Sequence, residues 1–165
     1  MQRDTHAQQV VTDDGLTGCS RTILVAVDDS TQSRSALTWT LQNMVRANDA
    51  LILVHIQPKT PLFAKADVDV TDLILTLEEK LRTESHVLLA EAVREVRKAN
   101  PAVKVKAMSG KGDARSRIIE IAAAENVDCV VIGSRGFNKL KAGILGSVSS
   151  YLVNHITQVP VIVVK

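Results

Sequence analysis

Five short apolar runs rich in Val and Ile alternate along the chain with longer segments whose apolar residues recur every three or four positions. The runs are TILVAV (Thr22 to Val27), ALILVHI (Ala50 to Ile56), VKVKAM (Val103 to Met108), DCVVIG (Asp128 to Gly133) and VPVIVV (Val159 to Val164). Their length and β-branched content predict strands. Four are apolar on both faces, as strands of a helix-covered parallel sheet must be, whereas VKVKAM alternates and is expected at an edge.

Helical spacing predicts four helices between the runs. In the first, Ala36, Leu37, Leu41, Met44 and Val45 share a face, with Ser30 or Ser33 as N-cap. The second extends from about Thr71 to Ala99 and stops at Asn100-Pro101, because proline disfavours helical geometry at the residue before it. A third starts at Asp113 or Ala114, runs to Glu125 and buries Ile118, Ile121 and Ala122; the fourth starts at Ser147 and turns Val148, Leu152 and Ile156 inward. This alternation predicts an α/β fold: a parallel, doubly wound sheet with right-handed crossovers and helices on both faces. The irregular connection from Gln57 to Val70 is expected to be a mobile loop over one end of the sheet.

A chain of 165 residues, 45% hydrophobic, is sized for one domain. The polar residues 1–20 lack the apolar centre of a secretory signal and are expected to form a disordered tail ahead of a domain at 21–165. No apolar run approaches the roughly 18 residues of a membrane span. Cys19 and Cys129 form no CxxC, which fits a reducing compartment, and a soluble cytoplasmic protein without membrane partners is expected. Twenty basic against 18 acidic residues leave a net charge of +2, and the aromatics Trp39, Phe63, Phe137 and Tyr151 are scattered. Neither feature suits a nucleic-acid partner, which calls for phosphate neutralisation and stacking platforms.

Ligands of doubly wound sheets bind beyond the carboxyl ends of the strands. Two such ends carry polar residues: VDDS (Val27 to Ser30) and GSRGFNKLKAGILGSVSS (Gly133 to Ser150). In the second, Gly133 and Gly136 permit a tight turn close to a ligand, while Gly146 and Ser147 open the last helix, where free amides and the positive dipole end favour an anion. Arg135, Lys139 and Lys141 add positive charge, and the arrangement suits a polyphosphate. The alternative is that these glycines only end the strand and relieve close helix packing. Other phosphate motifs do not decide between the two: GxxxxGK[ST] is absent, and GKGDAR has Arg115 where the third glycine of GxGxxG belongs. His55 reads as a packed, hydrogen-bonded histidine, Cys129 as a buried inert thiol, and Asp29, Arg34, Lys111, Arg115 and Arg117 as exposed or capping charges. Asp28, at a strand end facing the site, is a functional candidate.

The spacing Gly133-x2-Gly136-x9-Gly146-Ser147 after the fourth strand resembles the ATP-binding signature of the universal stress protein family. VAVDDS, LVHI, GDARSRIIEIAAAENVDCVVIGSRG and PVIVVK extend the likeness over about Arg21 to Lys165. The resemblance implies a five-stranded sheet of order 3-2-1-4-5 with ATP, accompanied by Mg, at its switch point. It implies that Asp28 contacts the nucleoside, that Ile56 meets the adenine through its backbone, and that Ala26, Val27 and Ile132 line an apolar slot. Gly133 would then lie against the ribose, with amides of Gly136, Gly146, Ser147 and Val148, the Ser147 hydroxyl and Ser149 on the phosphates. It further implies a homodimer through the strand Val159 to Val164, an apolar edge in its own right, and protein partners of unknown identity. One departure stands out: Gly112-Asp113-Ala114 lacks the proline common before the third helix, and Asp113 reads as an N-cap instead.

Phosphoryl transfer needs an in-line nucleophile and usually a base or water-positioning group. No carboxylate lies between Gly133 and Ser150. The expectation is therefore an ATP-dependent regulatory switch with slow or no hydrolysis. The alternatives are a nucleotide-free interaction module of the same fold and a nucleotide-using transferase, though the SGGxDS and HIGH motifs of adenylating enzymes are absent.

Overall fold

The computed structural model describes residues 8–12, 16, 18–59, 71–135 and 145–165. In chain order these form β1 (Gln8–Thr12), β2 (Arg21–Ala26), α1 (Thr31–Asn43), β3 (Asp49–Gln57), α2 (Thr71–Ala99), β4 (Lys104–Lys111), α3 (Ala114–Ala124), β5 (Cys129–Gly133), α4 (Ser147–His155) and β6 (Val161–Val164). All five expected strands and all four expected helices are present. The expected loop after Gln57 lies mostly outside the described residues, which break off after residue 59 and resume at 71.

The strands lie side by side in the order β1-β4-β3-β2-β5-β6. All neighbours from β4 to β6 pair in parallel. Counted without β1, the order is 3-2-1-4-5. The chain steps outward from β2 through α1 to β3 and through α2 to β4, then crosses back to β5 on the other side of β2. Right-handed crossovers in opposite directions put their helices on opposite faces, and the two cores show this. On one face Ile23, Val25, Leu51, Leu53 and Val105 pack with Ala36 and Leu37 of α1 and Leu89, Val93 and Val96 of α2. On the other, Leu24, Ala26, Ile52, Val54 and Ile132 pack with Ile118 and Ile121 of α3 and Leu152 of α4. Successive residues of β2 and β3 thus serve opposite cores, which is why these runs are apolar throughout; each large side chain fully buried contributes about 1.5–3 kcal/mol.

The expectation of a disordered tail over residues 1–20 fails at Gln8–Thr12. This segment pairs antiparallel with β4, Gln8 opposite Ser109 and Thr12 opposite Lys106, with an irregularity between Gln9 and Val11. VKVKAM is therefore the edge of the parallel set, as its alternation implied, but not of the whole sheet. The Val-Val-Thr of β1 suits a strand, and the unpaired backbone of β4 supplies the partner. Among the described residues, no helix is long and apolar enough to cross a membrane.

At the amino end of the sheet Arg21 grips Asp49 with two hydrogen bonds, Nε to Oδ1 at 3.1 Å and Nη2 to Oδ2 at 2.6 Å. Arg21 Nη2 also donates to the Met44 carbonyl, and the Arg46 amide donates to Asp49 Oδ2. The Asp49 side chain is 2% exposed and that of Arg21 36%. Burial alone would raise the Asp49 carboxyl, but the hydrogen bonds from Arg21 and the Arg46 amide outweigh it and hold the group below the usual carboxylate range. A depressed acid stabilises the fold above its unfolded pKa of about 3.9 and loses that contribution as pH falls through the folded value. Asp49→Asn is expected to lower the unfolding free energy by roughly 1–3 kcal/mol at pH 7. The deficit relative to wild type should shrink in urea titrations below about pH 4.

Candidate functional site

The carboxyl ends of β2, β3 and β5 and the start of α4 enclose a cavity of about 450 Å³, within the roughly 300–1,000 Å³ usual for small-molecule sites. Ala26, Val27 and Asp28 line it from β2 and its exit, Ile56 from β3, Ile132 and Gly133 from β5, and Gly146, Ser147, Val148 and Ser149 from the α4 entrance. These candidates from four separate stretches of sequence meet at one place because β2 is the strand on either side of which the winding reverses. Gly136 lies outside the described residues, as do Lys139 and Lys141. Arg135 is on the cavity wall.

Asp28 is held by the turn into α1. Its Oδ1 accepts the Ser30 amide at 2.9 Å and the Ser30 hydroxyl at 2.5 Å, and its own amide donates to Ser33 Oγ at 2.8 Å. Ser30 in turn caps α1 by accepting the Ser33 amide at 3.1 Å. Oδ2 of Asp28 makes no hydrogen bond among the described residues, so the half-buried carboxylate keeps one oxygen available at the cavity wall. His55 Nδ1 lies 2.8 Å from the Val27 carbonyl oxygen; the carbonyl only accepts, so Nδ1 carries the proton. This is the packed, hydrogen-bonded histidine expected. Cys129 is buried, and burial pushes its thiol pKa up, in keeping with an inert side chain.

The two described glycines of the signature have a packing role. A Cβ on Gly133 would stand 2.8 Å from the carbonyl carbon and oxygen of Gln32 and 2.9 Å from the Ser33 nitrogen. The first turn of α1 therefore requires glycine there whatever the cavity holds. A Cβ on Gly146 would come 3.2 Å from Arg135 Cα. The alternative reading of a glycine as a packing device thus accounts for Gly133; Gly136 lies outside the described residues. Gly133 and Gly146 also line the cavity.

The α4 entrance also revises the expected amide set. The Gly146 amide donates to the Ser134 carbonyl at 2.7 Å, and the Ser149 hydroxyl is engaged by the Ser134 and Gly146 carbonyls at 3.0 and 3.1 Å. Neither group is available to a ligand as expected. The first helical bond runs from Ser150 to Gly146, which leaves the amides of Ser147, Val148 and Ser149 without intrahelical acceptors. Gly146 provides no side-chain cap for them, whereas Ser30 and Asp113 cap α1 and α3. Three amide donors at the positive end of a helix dipole thus meet the cavity.

The sequence reading omitted Ser33, Val54, Ala114 and Ile118, which also line the cavity. Ile118 was legible as an inward position of α3, but its service to the site depends on which face α3 covers. Among the described residues, no cluster of His, Cys, Asp or Glu could hold a metal ion by itself.

A family model described as the universal stress protein family matches residues 20–165. The chain belongs to this family. Universal stress protein PHOS34 of Arabidopsis thaliana is 29% identical over 165 residues, covering 90% of this chain and 63% of the relative. The chain thus spans less than two thirds of the length of that curated relative. Among solved structures, the hypothetical protein MJ0577 shares 27% identity at a TM-score of 0.74, covering 88% of this chain and 95% of that one. An Arabidopsis thaliana universal stress protein family structure with AMP bound shares 23% identity at a TM-score of 0.63, covering 88% and 91%. The parallel order and helix placement match universal stress protein structures.

Gly133→Ala is expected to lower the unfolding free energy by about 3 kcal/mol, because backbone atoms must move, and Gly146→Ala by only about 1 kcal/mol. Equal losses in urea titrations would contradict the packing role assigned to Gly133.

Proposed function

We propose that the chain binds ATP, accompanied by Mg, in this cavity, and that it acts as a cytoplasmic regulatory protein whose partner contacts follow nucleotide occupancy. The observation that carries the reading is the uncapped start of α4 at the cavity: the amides of Ser147, Val148 and Ser149 suit phosphate oxygens. At the other chemical extreme Ala26, Val27, Val54, Ile56 and Ile132 make an apolar slot suited to a purine face. Asp28 Oδ2 suits a ribose hydroxyl. The Arabidopsis family structure with AMP bound supports an adenine nucleotide as the ligand class. Mg would come with the phosphates, held by their oxygens and by its own waters.

Slow or absent turnover is supported by the carboxylates. Asp28 is the one carboxylate lining the cavity among the described residues, and its Oδ1 is already engaged by Ser30. A homodimer is supported by β6, which pairs with β5 on one side and lies at the sheet's edge on the other. Sedimentation equilibrium is expected to show a dimer at micromolar concentration, and monomer alone would count against it.

Ser147→Pro isolates the phosphate end. Proline is accommodated at the first helical position, and Gly146 already has the extended geometry a residue before proline needs, φ −66° and ψ 162°. Calorimetry should find Mg-ATP binding to wild type weakened about tenfold by loss of that amide and adenosine binding unchanged. Asp28→Ala should weaken both ligands. No heat from folded wild type would favour the nucleotide-free interaction module, and equal ATP affinity in Ser147→Pro would remove the α4 amides from the account. A companion ADP-release assay separates carrier from transferase or ATPase.

A further inference from the structure

On the opposite face of the sheet from α3 and α4, a second and larger hollow of about 1100 Å³ runs between α1 and α2. That is slightly above the roughly 300–1,000 Å³ of small-molecule pockets, and residues of α1 and α2 line it from either side. Its α2 wall carries two parallel strips set by helical spacing. Leu81, Leu88 and Ala92 form an apolar strip, and Glu84, Glu91 and Glu95 follow seven and four residues apart beside it. Val87, also on this wall, is 51% exposed. Leu37 completes the apolar floor from α1.

The charge is reversed relative to the rest of the molecule. The whole chain carries +2, yet the groove is lined by five carboxylates, the three of α2 with Asp28 and Asp29, against the single guanidinium of Arg34. Arg34 is itself paired with Asp29 at 2.7 Å. Glu91 makes no hydrogen bond or ion pair among the described residues. The polar groups at the bottom satisfy one another: Gln57 Nε2 donates to Ser109 Oγ at 3.2 Å, and Ser85 Oγ lies 2.9 Å from it. With these groups already engaged by one another, the features that favour a macromolecular partner are the apolar strip and the charge at the rim.

We propose that this groove docks a basic amphipathic helix of a partner protein, with its apolar side on Leu81, Val87 and Leu88 and its lysines or arginines against Glu84, Glu91 and Glu95. The length fits. From Leu81 to Glu95 the α2 wall runs about 21 Å, the length of a helix of about 14 residues, and helix-in-groove recognition reads such apolar anchors at three- and four-residue spacing. The groove shares Val27, Asp28, Ser33, His55 and Ile56 with the cavity described above, so the partner would lie directly behind the wall of that cavity. The docking surface stands on its own geometry and is tested without nucleotide.

The probe is a fluorescein-labelled 14-residue helical peptide with Leu on one face and Lys on the other, compared with Leu/Glu and Ser/Lys versions by anisotropy. Saturable binding of the Leu/Lys peptide alone is expected. Glu84→Lys with Glu91→Lys should weaken it about tenfold, because two rim pairs become like-charge contacts. Glu79→Lys, an exposed α2 change that does not line the groove, should change it less than about twofold. Absence of saturable binding, equal binding of the Ser/Lys peptide, or equal losses in the two charge variants would overturn the proposal. So would self-association of the free protein that the double variant abolishes, which would assign the groove to a second copy.

Discussion

The carboxyl end of the sheet depends on how closely the end of β5 approaches the first turn of α1. At Gly133 the two backbones leave no room for a methyl group beside Gln32 and Ser33. That approach brings the Asp28–Ser30–Ser33 hydrogen bonds next to Ser134 and Arg135, with Ser30 Oγ 3.4 Å from the Arg135 carbonyl. Ser134 then ties down the entrance of α4 by accepting from the Gly146 amide and the Ser149 hydroxyl. One steric constraint therefore aligns the β2 turn, the β5 exit and the α4 amides around a common space. At the amino end of the sheet Arg21 and Asp49 satisfy each other's charges.

Locality explains which residues were legible before the structure. Apolar runs and helical spacing are local, so every parallel strand, the α2 boundaries Thr71–Ala99, the start of α4 at Ser147 and the Asp113 cap could be read directly. Strand order is not local. No periodicity tells β2 that its neighbours are β3 and β5, and only the family resemblance supplied it. β1 escaped notice because two valines in a polar stretch carry too weak a signal; its stability comes from the free edge of β4, far away in sequence.

At the site, residue identities were more legible than their atoms. Asp28, Ile132, Ser147 and Val148 were found at the cavity wall. The Gly146 amide and Ser149 hydroxyl, however, are engaged by protein carbonyls, a matter of packing distance that a motif does not encode. The glycines show the same point more sharply. Their spacing matches a nucleotide signature, yet Gly133 is glycine because α1 lies against it. Motif and packing are not rivals here, since a helix that comes close enough to exclude Cβ also brings its turn to the cavity.

The central claim is that three free amides at the start of α4 receive the phosphates of a nucleotide. Amide resonances of the isotopically labelled protein, followed during addition of Mg-ATP, test it most directly. The account predicts large downfield shifts for Ser147 and Val148, with little change for the Gly146 amide already bonded to Ser134. Unchanged Ser147 and Val148 resonances under saturating nucleotide, or shifts confined to the groove between α1 and α2, would contradict it.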